Sequence, residues 1–311
     1  MASFKSRMFN LMMRNRHFLQ GKFKPEVFSM HTSITAFREQ CEKGAAKYGN
    51  IPTGVEVVKD TIAGINSEWL IPESSDRNKL IFYVHGGGYV SGSCSDHRGF
   101  VSRLAKNTGF TNLVYEYRLA PEHPFPAALD DSVSIYRAIL SKGYIPKNLV
   151  IAGESAGGGL ALALLLALKE KNIPMPAAAV AISPWTDLSC SGESYKTKNK
   201  VSVAPLNSWK VFSKHYVGEN SPKNPLISPL FGNLEGLPPI FINSGTSDEL
   251  FDDGKEFVAK AREAGVSATF RSGEGQVHCY PLLVPLFKEA NEAMNEIGQF
   301  IKTHLNSDLP D

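Results

Sequence analysis

A serine between small residues is the first feature of this chain that could carry chemistry. Ser155 is the centre of Gly153-Glu154-Ser155-Ala156-Gly157, which follows an apolar run and opens into a long segment rich in alanine and leucine. A serine on a sharp turn between a strand and a helix needs such neighbours, because a Cβ at 153 or 157 would crowd the turn. The N-terminus of the following helix favours negative charge nearby. We therefore predict that Ser155 is a nucleophile held clear of a sheet.

A serine nucleophile needs a base at neutral pH, and the base needs an orienting acid. Asp248 follows the strand-like run 240–243, and His278 follows the strand-like run 268–271. Three other acids compete for the orienting role but lie deeper in the next predicted helix: Glu249, Asp252 and Asp253. The order Ser155, Asp248, His278 therefore predicts a nucleophile, an acid and a base on three loops that follow strands.

The remaining histidines have other predicted roles. His85 and His123 precede Ser155 and are interpreted as structural, with imidazoles that hold loops by hydrogen bonds. Polar helical surroundings are predicted for His97 and His215, and terminal helices for His17, His31 and His304.

A second candidate element is the glycine run His85-Gly86-Gly87-Gly88 after the apolar run 80–84. Consecutive glycines let backbone N–H groups approach a substrate without interference from a Cβ, as an oxyanion hole requires. A plain glycine turn and a phosphate-binding loop are the alternatives. The chain has neither G-x-x-x-x-G-K-[ST] nor a G-x-G-x-x-G followed by an acid, which counts against phosphate.

Apolar runs that alternate with helical patterns must position these residues. Two β-like segments, 55–59 and 66–71, predict an antiparallel pair. Further strands are predicted at 80–84, 112–117, 149–152, 178–182, 240–243 and 268–271, and helices at 125–141, 155–171, 252–264 and about 286–304. Such alternation is typical of right-handed βαβ crossovers. We therefore expect an α/β protein with a mostly parallel central sheet flanked by helices.

Two segments depart from this alternation. Residues 184–237 are rich in Ser, Pro, Asn and Lys and too long for a simple connection, so we expect an excursion with its own helix at about 207–216. Near the N-terminus a helical pattern places six apolar side chains on one face: Phe4, Met8, Leu11, Met12, Phe18 and Leu19. This helix is predicted to pack as a lid over the rest of the protein. Because it is also basic, a position on a membrane surface is the alternative.

Composition narrows the function classes. The chain has 311 residues, a net charge of +2 and 21% charged residues. No basic arm is present, so we expect no nucleic-acid partner. The four cysteines lack C-x-x-C spacing, which predicts neither disulfides nor zinc and favours a reducing compartment. The N-terminus lacks the uninterrupted apolar core of a signal peptide, and the most apolar run, 157–168, is far short of the ~20 residues that a membrane-spanning helix needs. We therefore expect a cytoplasmic location without stable membrane insertion.

Taken together, the motifs resemble those of the hormone-sensitive-lipase family of microbial esterases. The resemblance rests on His85 to Tyr89, Tyr117 to Ala128, Gly153 to Gly158, Asp248 and His278, and spans roughly residues 50–305. It implies an α/β-hydrolase fold, a triad of Ser155, Asp248 and His278, and an oxyanion hole made by the N–H groups of Gly87, Gly88 and Ala156. It also implies a mainly helical cap from residues 1–50 and 185–225 over a core of residues 51–184 and 226–311. Relatives often dimerise through the edge strand near 268–271.

Three residues depart from the family pattern. Glu154 stands where many relatives have Asp, Glu249 where Pro is usual after the acid, and Cys279 where Gly is usual after the histidine. These departures leave open the packing near the nucleophile and the geometry of the acid and histidine loops.

The resemblance implies a carboxylic ester hydrolase that works through an acyl-enzyme intermediate and needs no metal or organic cofactor. A cap over Ser155 would limit the pocket to short and medium acyl chains. Three alternatives remain: an amidase or peptidase with the same triad, a lipase that acts at lipid surfaces through the basic N-terminal helix, and a non-catalytic ligand receptor on the same scaffold. The presence of His278 counts against the receptor.

Overall fold

An eight-stranded sheet crosses the centre of the protein in a computed structural model that describes residues 2–19, 23 and 26–306. The strands are β1 (Val55–Ile62), β2 (Ile65–Pro72), β3 (Asp76–Val84), β4 (Phe110–Tyr115), β5 (Leu149–Glu154), β6 (Ala178–Ile182), β7 (Ile240–Gly245) and β8 (Ala268–Gly273). Their order is β1-β2-β4-β3-β5-β6-β7-β8. β2 pairs antiparallel with β1 and β4, and the other neighbours are parallel. The predicted α/β class with a mostly parallel sheet is confirmed.

Helices cover both faces of this sheet. The described helices are α1 (Phe4–Arg14), α2 (Arg16–Leu19), α3 (Ile34–Tyr48), α4 (Cys94–Thr108), α5 (Ala127–Ser141), α6 (Ser155–Glu170), α7 (Ser194–Thr197), α8 (Ser208–Val217), α9 (Phe251–Glu263) and α10 (Lys288–Asn306). Short 3₁₀ turns lie at Pro146–Asn148, Pro229–Phe231 and Tyr280–Leu283. The predicted elements are present, with most of their ends shifted by one or two residues, as is normal for helix and strand termini.

Two apolar clusters explain why the central strands are mostly apolar on both of their faces. On one face, Leu160 and Leu164 of α6 belong to a cluster with Ile135 of α5 and Phe257 of α9. On the other, Leu104 of α4 clusters with Ile297 and Ile301 of α10. All residues of β4, β5, β6 and β7 are buried. Burial on both faces favours apolar side chains on both, so these strands lack the regular alternation of a half-exposed strand.

The N-terminal segment and the excursion after β6 are joined to each other. Val27 forms a parallel bridge with Leu206. Phe28 N–H donates to Leu206 O (2.8 Å), and Asn207 Nδ2 donates to Phe28 O (2.9 Å). The Phe28 ring also packs edge-on against Phe212 of α8, with centroids 5.5 Å apart. The two sequence-distant segments therefore form one layer, as a cap made of both would require.

The predicted packing of α1 is wrong in its orientation. Ser6 and Asn10 are the buried residues of α1, whereas Phe4, Met8, Leu11 and Met12 are 70%, 51%, 57% and 48% exposed. Phe18 of α2 is also 59% exposed, and the side chain of Leu19 lies outside the described residues. The polar face is inside because it has partners there: Ser6 Oγ donates to Gln276 Oε1 and Asn10 Nδ2 donates to Gly275 O, both at 2.8 Å. No helix in the described ranges has the length and apolar character needed to cross a membrane.

Candidate active site

The turn between β5 and α6 holds Ser155 in a left-handed conformation with φ of 56°. Left-handed backbone in a non-glycine residue is costly, about 1–3 kcal/mol, and is maintained only where surrounding structure enforces it. Here the enforcement is close packing of the chain: a Cβ added at Gly157 would lie 2.2 Å from the carbonyl oxygens of Val84 and His85. Ser155 is the first residue of α6, so its hydroxyl stands at a helix N-terminus. The predicted elbow is present.

The three sequence-predicted residues meet at this turn. Ser155 Oγ lies 2.9 Å from His278 Nε2, and His278 Nδ1 lies 2.9 Å from Asp248 Oδ2. The second carboxylate oxygen of Asp248 accepts the N–H of Leu250 at 3.0 Å. Asp248 is fully buried. The arrangement gives an unbroken chain from hydroxyl to imidazole to carboxylate.

Backbone contacts between two loops bring Asp248 and His278 together. Thr246 N–H donates to Gly273 O and Ser247 N–H to Gln276 O, both at 2.9 Å. The loop after β7 is thereby fixed to the loop after β8. Since both loops leave neighbouring parallel strands at the same edge of the sheet, their side chains converge.

The competing acids lie elsewhere. Asp252 and Asp253 are in the first turn of α9. Asp253 Oδ2 accepts the N–H groups of Thr186 and Asp187 at 2.8 Å, so it holds the start of the excursion after β6. Glu249 points to α8, where its Oε2 accepts Trp209 Nε1–H at 3.0 Å. Burial raises the pKa of Glu249. Among the described carboxylates, Asp248 is the one hydrogen-bonded to His278.

The imidazole of His278 is shifted toward its charged form. Burial lowers its pKa, but the Asp248 carboxylate and the neighbouring Cys279 outweigh this and raise the pKa of His278 well above its usual value of 6.5. A base in this state accepts a proton readily once it is neutral. The Asp248 carboxylate thus favours the imidazolium that forms when Ser155 gives up its proton.

The glycine run is joined to the nucleophile turn, because Gly86 N–H donates to the carboxylate of Glu154, the residue before Ser155. Gly87 and Gly88 have φ of 116° and 66°, a region that side chains disfavour, and this backbone bends the loop. Within the described part of the chain, neither N–H group donates a hydrogen bond. Ala156 is the second residue of α6, so its N–H lacks a partner inside the helix. Three N–H groups near the nucleophile are therefore available to an acceptor.

Glu154 connects the nucleophile turn to the glycine run, and this settles the packing near the nucleophile that its departure from the family pattern left open. Its Oε1 accepts the N–H of Gly86 (2.5 Å) and lies 2.8 Å from His97 Nε2. Its Oε2 accepts the Tyr83 hydroxyl (2.5 Å). Burial lowers the pKa of His97, but Glu154 outweighs it and the net shift is upward. His97 was expected in polar helical surroundings and instead pairs with a buried acid, a partner 57 positions away that no local pattern indicates.

The two histidines predicted to be structural differ. His85 is fully buried, its Nδ1 lies 2.8 Å from Gly86 O, and its ring stacks on Tyr117 at 4.2 Å. Burial lowers the pKa of His85 to about 3, so it is neutral. This prediction is confirmed. His123 is exposed, and its backbone N–H, not its imidazole, donates to Leu119 O. For His123 the expected imidazole contact is wrong.

Aromatic side chains of α8, which sequence reasoning did not single out, border the site. The Trp209 ring lies edge-on to His278 with centroids 5.3 Å apart. Phe212 lies against the glycine run: a Cβ added at Gly88 would be 2.5 Å from its ring. The predicted helix at 207–216 was the available signal, but only the folded chain shows which of its faces meets the site.

Cys279 occupies a position that explains why glycine is usual there. Its φ is 51°, in the left-handed region. Its N–H donates to Ser183 Oγ at 3.1 Å, and its sulfur lies 3.4 Å from His278 Nε2. The thiol is therefore a second neighbour of the nitrogen that faces Ser155. Burial raises the pKa of Cys279, although His278 opposes the shift.

Known proteins of similar sequence share this fold. A family model described as the alpha/beta hydrolase fold matches residues 81–282. An acetyl-hydrolase of Streptomyces hygroscopicus is 37% identical over 84% of this chain and 87% of its own length. An esterase of Acinetobacter venetianus is 35% identical over 79% of this chain and 82% of its own.

Solved structures give the same result. A crystal structure of an esterase/lipase from an uncultured bacterium has a TM-score of 0.91 and 34% identity, covering 98% of this chain and 100% of that one. An esterase from the bacterial hormone-sensitive lipase family has a TM-score of 0.90 and 31% identity, covering 98% of this chain and 99% of that one.

The fold and the site thus define an α/β hydrolase. The chain belongs to the alpha/beta hydrolase fold family, among its hormone-sensitive-lipase-like esterases. It is a carboxylesterase.

Proposed function

We propose that Ser155, His278 and Asp248 form the catalytic triad of this carboxylesterase and that it prefers short to medium acyl chains. The observation that carries the triad is the pair of 2.9 Å contacts that join Ser155 Oγ, the two nitrogens of His278 and Asp248 Oδ2. The acetyl-hydrolase of Streptomyces hygroscopicus and the esterase of Acinetobacter venetianus, to which the chain is similar, support ester chemistry at this site.

In this mechanism Ser155 Oγ attacks the ester carbonyl carbon and its proton passes to His278 Nε2. Asp248 keeps the imidazole oriented and stabilises its charged form. The negative oxygen of the tetrahedral intermediate is held by the N–H groups of Gly87, Gly88 and Ala156. His278 then protonates the departing alcohol. A water activated by His278 attacks the acyl-enzyme, which releases the acid and restores Ser155.

The cap supplies the argument for acyl-chain length. Residues 1–50 and 185–225 are proposed as its two parts, supported by the Val27–Leu206 bridge and by Phe28 on Phe212. Trp209 and Phe212 border the place where the acyl group meets Ser155. Each methylene that fits contributes up to ~0.8 kcal/mol of binding until these rings block the chain. A preference for about C4 to C8 follows.

The triad is tested by Ser155→Ala. We expect a folded protein whose turnover of p-nitrophenyl butyrate falls roughly 10⁶-fold. The matched control is Ser132→Ala on α5, a buried serine hydrogen-bonded to Tyr115 at 2.8 Å and remote from the elbow, which should keep its activity. If Ser155→Ala retained a tenth of the activity, the assignment would be wrong. The corresponding anilide in the same assay separates an esterase from an amidase.

Two further proposals concern the oligomeric state of the enzyme and its location in the cell. β8 is an edge strand of the sheet, and an unpaired edge can join a second copy; we propose a homodimer through it, to be tested by light scattering. The described cysteines are free thiols, which supports the proposed cytoplasmic location; cell fractionation tests it.

A further inference from the structure

The outer face of α1 carries an apolar stripe that is exposed among the residues that the structure describes. Phe4, Met8, Leu11 and Met12 are each about half or more exposed. At 3.6 residues per turn they share an arc about 100° wide. Phe18 and Phe23, the next aromatic residues along the chain, are also exposed. Large apolar side chains gathered on one exposed face are characteristic of interaction surfaces, whereas single ones are ordinary.

The inner face of α1 shows that this orientation is built in. Ser6 Oγ donates to Gln276 Oε1, Asn10 Nδ2 donates to Gly275 O, and Ser3 Oγ donates to Glu289 Oε2 at 2.8 Å. Phe9 packs against Phe287 with ring centroids 5.8 Å apart. Rotating the helix to bury the apolar stripe would break all of these contacts, so the stripe faces outward as a consequence of specific hydrogen bonds.

Charge on α1 indicates what the stripe contacts. Lys5 and Arg7 are exposed and, on the same helical projection, flank the stripe on its two sides. The first 25 residues contain six basic residues and no acid: Lys5, Arg7, Arg14, Arg16, Lys22 and Lys24. An apolar stripe between two cationic borders matches an anionic lipid surface, where acyl chains lie below a layer of negative headgroups.

We propose that α1 binds the surface of an anionic phospholipid membrane through Phe4, Met8, Leu11 and Met12, with Lys5 and Arg7 at the headgroups. A second copy of the chain fits the same face less well, because a symmetric dimer would place the two basic borders opposite each other and repel. The helix lies in the interface plane and does not cross it.

The position of α1 gives this binding a consequence for substrate access. Its inner face contacts Gly275 and Gln276, which lie three and two residues before His278. A membrane on the outer face would be about one helix diameter, ~10 Å, from this loop. The site would then take esters that partition into lipid. This consequence rests on the proposed triad, whereas the binding itself does not.

Co-sedimentation with vesicles tests the binding. Wild-type protein should bind vesicles of phosphatidylcholine and phosphatidylglycerol in equal parts, bind phosphatidylcholine alone weakly, and lose affinity with added salt. Met8→Gln combined with Leu11→Gln should lower the partition coefficient at least ~10-fold on anionic vesicles. Lys5→Gln combined with Arg7→Gln should lower it ~10-fold on anionic vesicles and little on neutral ones. The matched control is Val58→Gln with Ile145→Gln, exposed apolar residues elsewhere, which should bind as wild type.

Three results would overturn the proposal: no binding of wild type to anionic vesicles, unchanged binding of the Met8/Leu11 variant, or equal loss in the control. Light scattering on the same samples measures the molar mass and so tests the alternative that a second copy of the chain covers the stripe. A wild-type oligomer that the Met8/Leu11 variant converts to monomers would show a self-association surface instead. Hydrolysis of dissolved p-nitrophenyl butyrate should be unchanged in the Val58/Ile145 control, whose residues lie outside the proposed cap. A failure of the proposed triad would appear as retained activity in Ser155→Ala and would leave vesicle binding intact.

Discussion

The carboxylate of Glu154, the residue before Ser155, accepts the N–H of Gly86 in the glycine run. The same carboxylate holds His97 and the Tyr83 hydroxyl. Nucleophile and glycine run are thus fixed to each other through one buried side chain. Because Gly87 and Gly88 follow Gly86 directly, Glu154 sets where their N–H groups lie relative to Ser155.

Glu154→Gln should therefore lower kcat more than it raises KM. The amide keeps the shape but loses the charge that holds His97, so the glycine run shifts relative to Ser155. A small misplacement of oxyanion donors costs roughly 10- to 100-fold in kcat, because they act in the transition state. Steady-state kinetics on p-nitrophenyl butyrate measures this. Glu154→Asp, which keeps the charge, should retain more activity than Glu154→Gln.

A matched control for this prediction is Glu68→Gln. Glu68 is also a buried carboxylate, but it pairs with Arg98 of α4 and makes no described hydrogen bond to the nucleophile turn or the glycine run. Its loss should lower the midpoint of thermal unfolding while kcat stays near wild type. If both variants lost stability and neither lost kcat, Glu154 would have only a structural role.

The sequence alone predicted those site residues that belong to short motifs of neighbouring residues. The elbow at 153–157, the glycine run and the strands before Asp248 and His278 are short patterns with physical requirements of their own, so each could be identified without the fold. Glu154 with His97, and Trp209 against His278, join residues 57 and 69 positions apart, and no periodicity encodes such pairs. The predicted orientation of α1 was wrong for a related reason. The sequence shows the apolar stripe of this helix, but it does not show the hydrogen bonds that its other face makes to the loop before His278.

Activity should depend on pH through His278. Only the neutral imidazole accepts the Ser155 proton, and the pKa of His278 is raised well above 6.5, chiefly by Asp248 against the effect of burial. The kcat/KM profile should therefore be low in acid and rise with pH through a midpoint above 6.5. In Asp248→Asn the charge that raises the pKa is lost, so the midpoint should move to lower pH while kcat falls ~10⁴-fold.

The control for the pH prediction is Asp252→Asn. Asp252 accepts the N–H of Ser194 and does not contact His278. Its midpoint should equal that of wild type. A midpoint that did not move in Asp248→Asn would show that Asp248 does not set the charge state of His278.

Cys279 should make the enzyme sensitive to thiol reagents. Its sulfur lies 3.4 Å from His278 Nε2, so a maleimide attached there would crowd the base. Because burial raises the pKa of the thiol, the reaction should be slow at pH 7 and faster at higher pH. Cys279→Gly also suits the left-handed backbone and should keep turnover within several-fold of wild type while resisting N-ethylmaleimide. Cys190→Ser is the control, and N-ethylmaleimide should inactivate it at the wild-type rate. If Cys279→Gly were also inactivated at that rate, the sensitive thiol would be another cysteine.

Phe212 should limit acyl-chain length, because its ring lies against Gly88 beside the elbow. Phe212→Leu opens space there, and each further methylene that fits adds up to ~0.8 kcal/mol, about fourfold in kcat/KM. The ratio of kcat/KM for decanoate to that for butyrate should then rise about tenfold, measured with p-nitrophenyl esters. Val211→Ala removes a comparable buried side chain from the same helix and should leave the ratio unchanged. An unchanged ratio in Phe212→Leu, with both variants folded, would mean that the acyl chain runs past another wall of the cap.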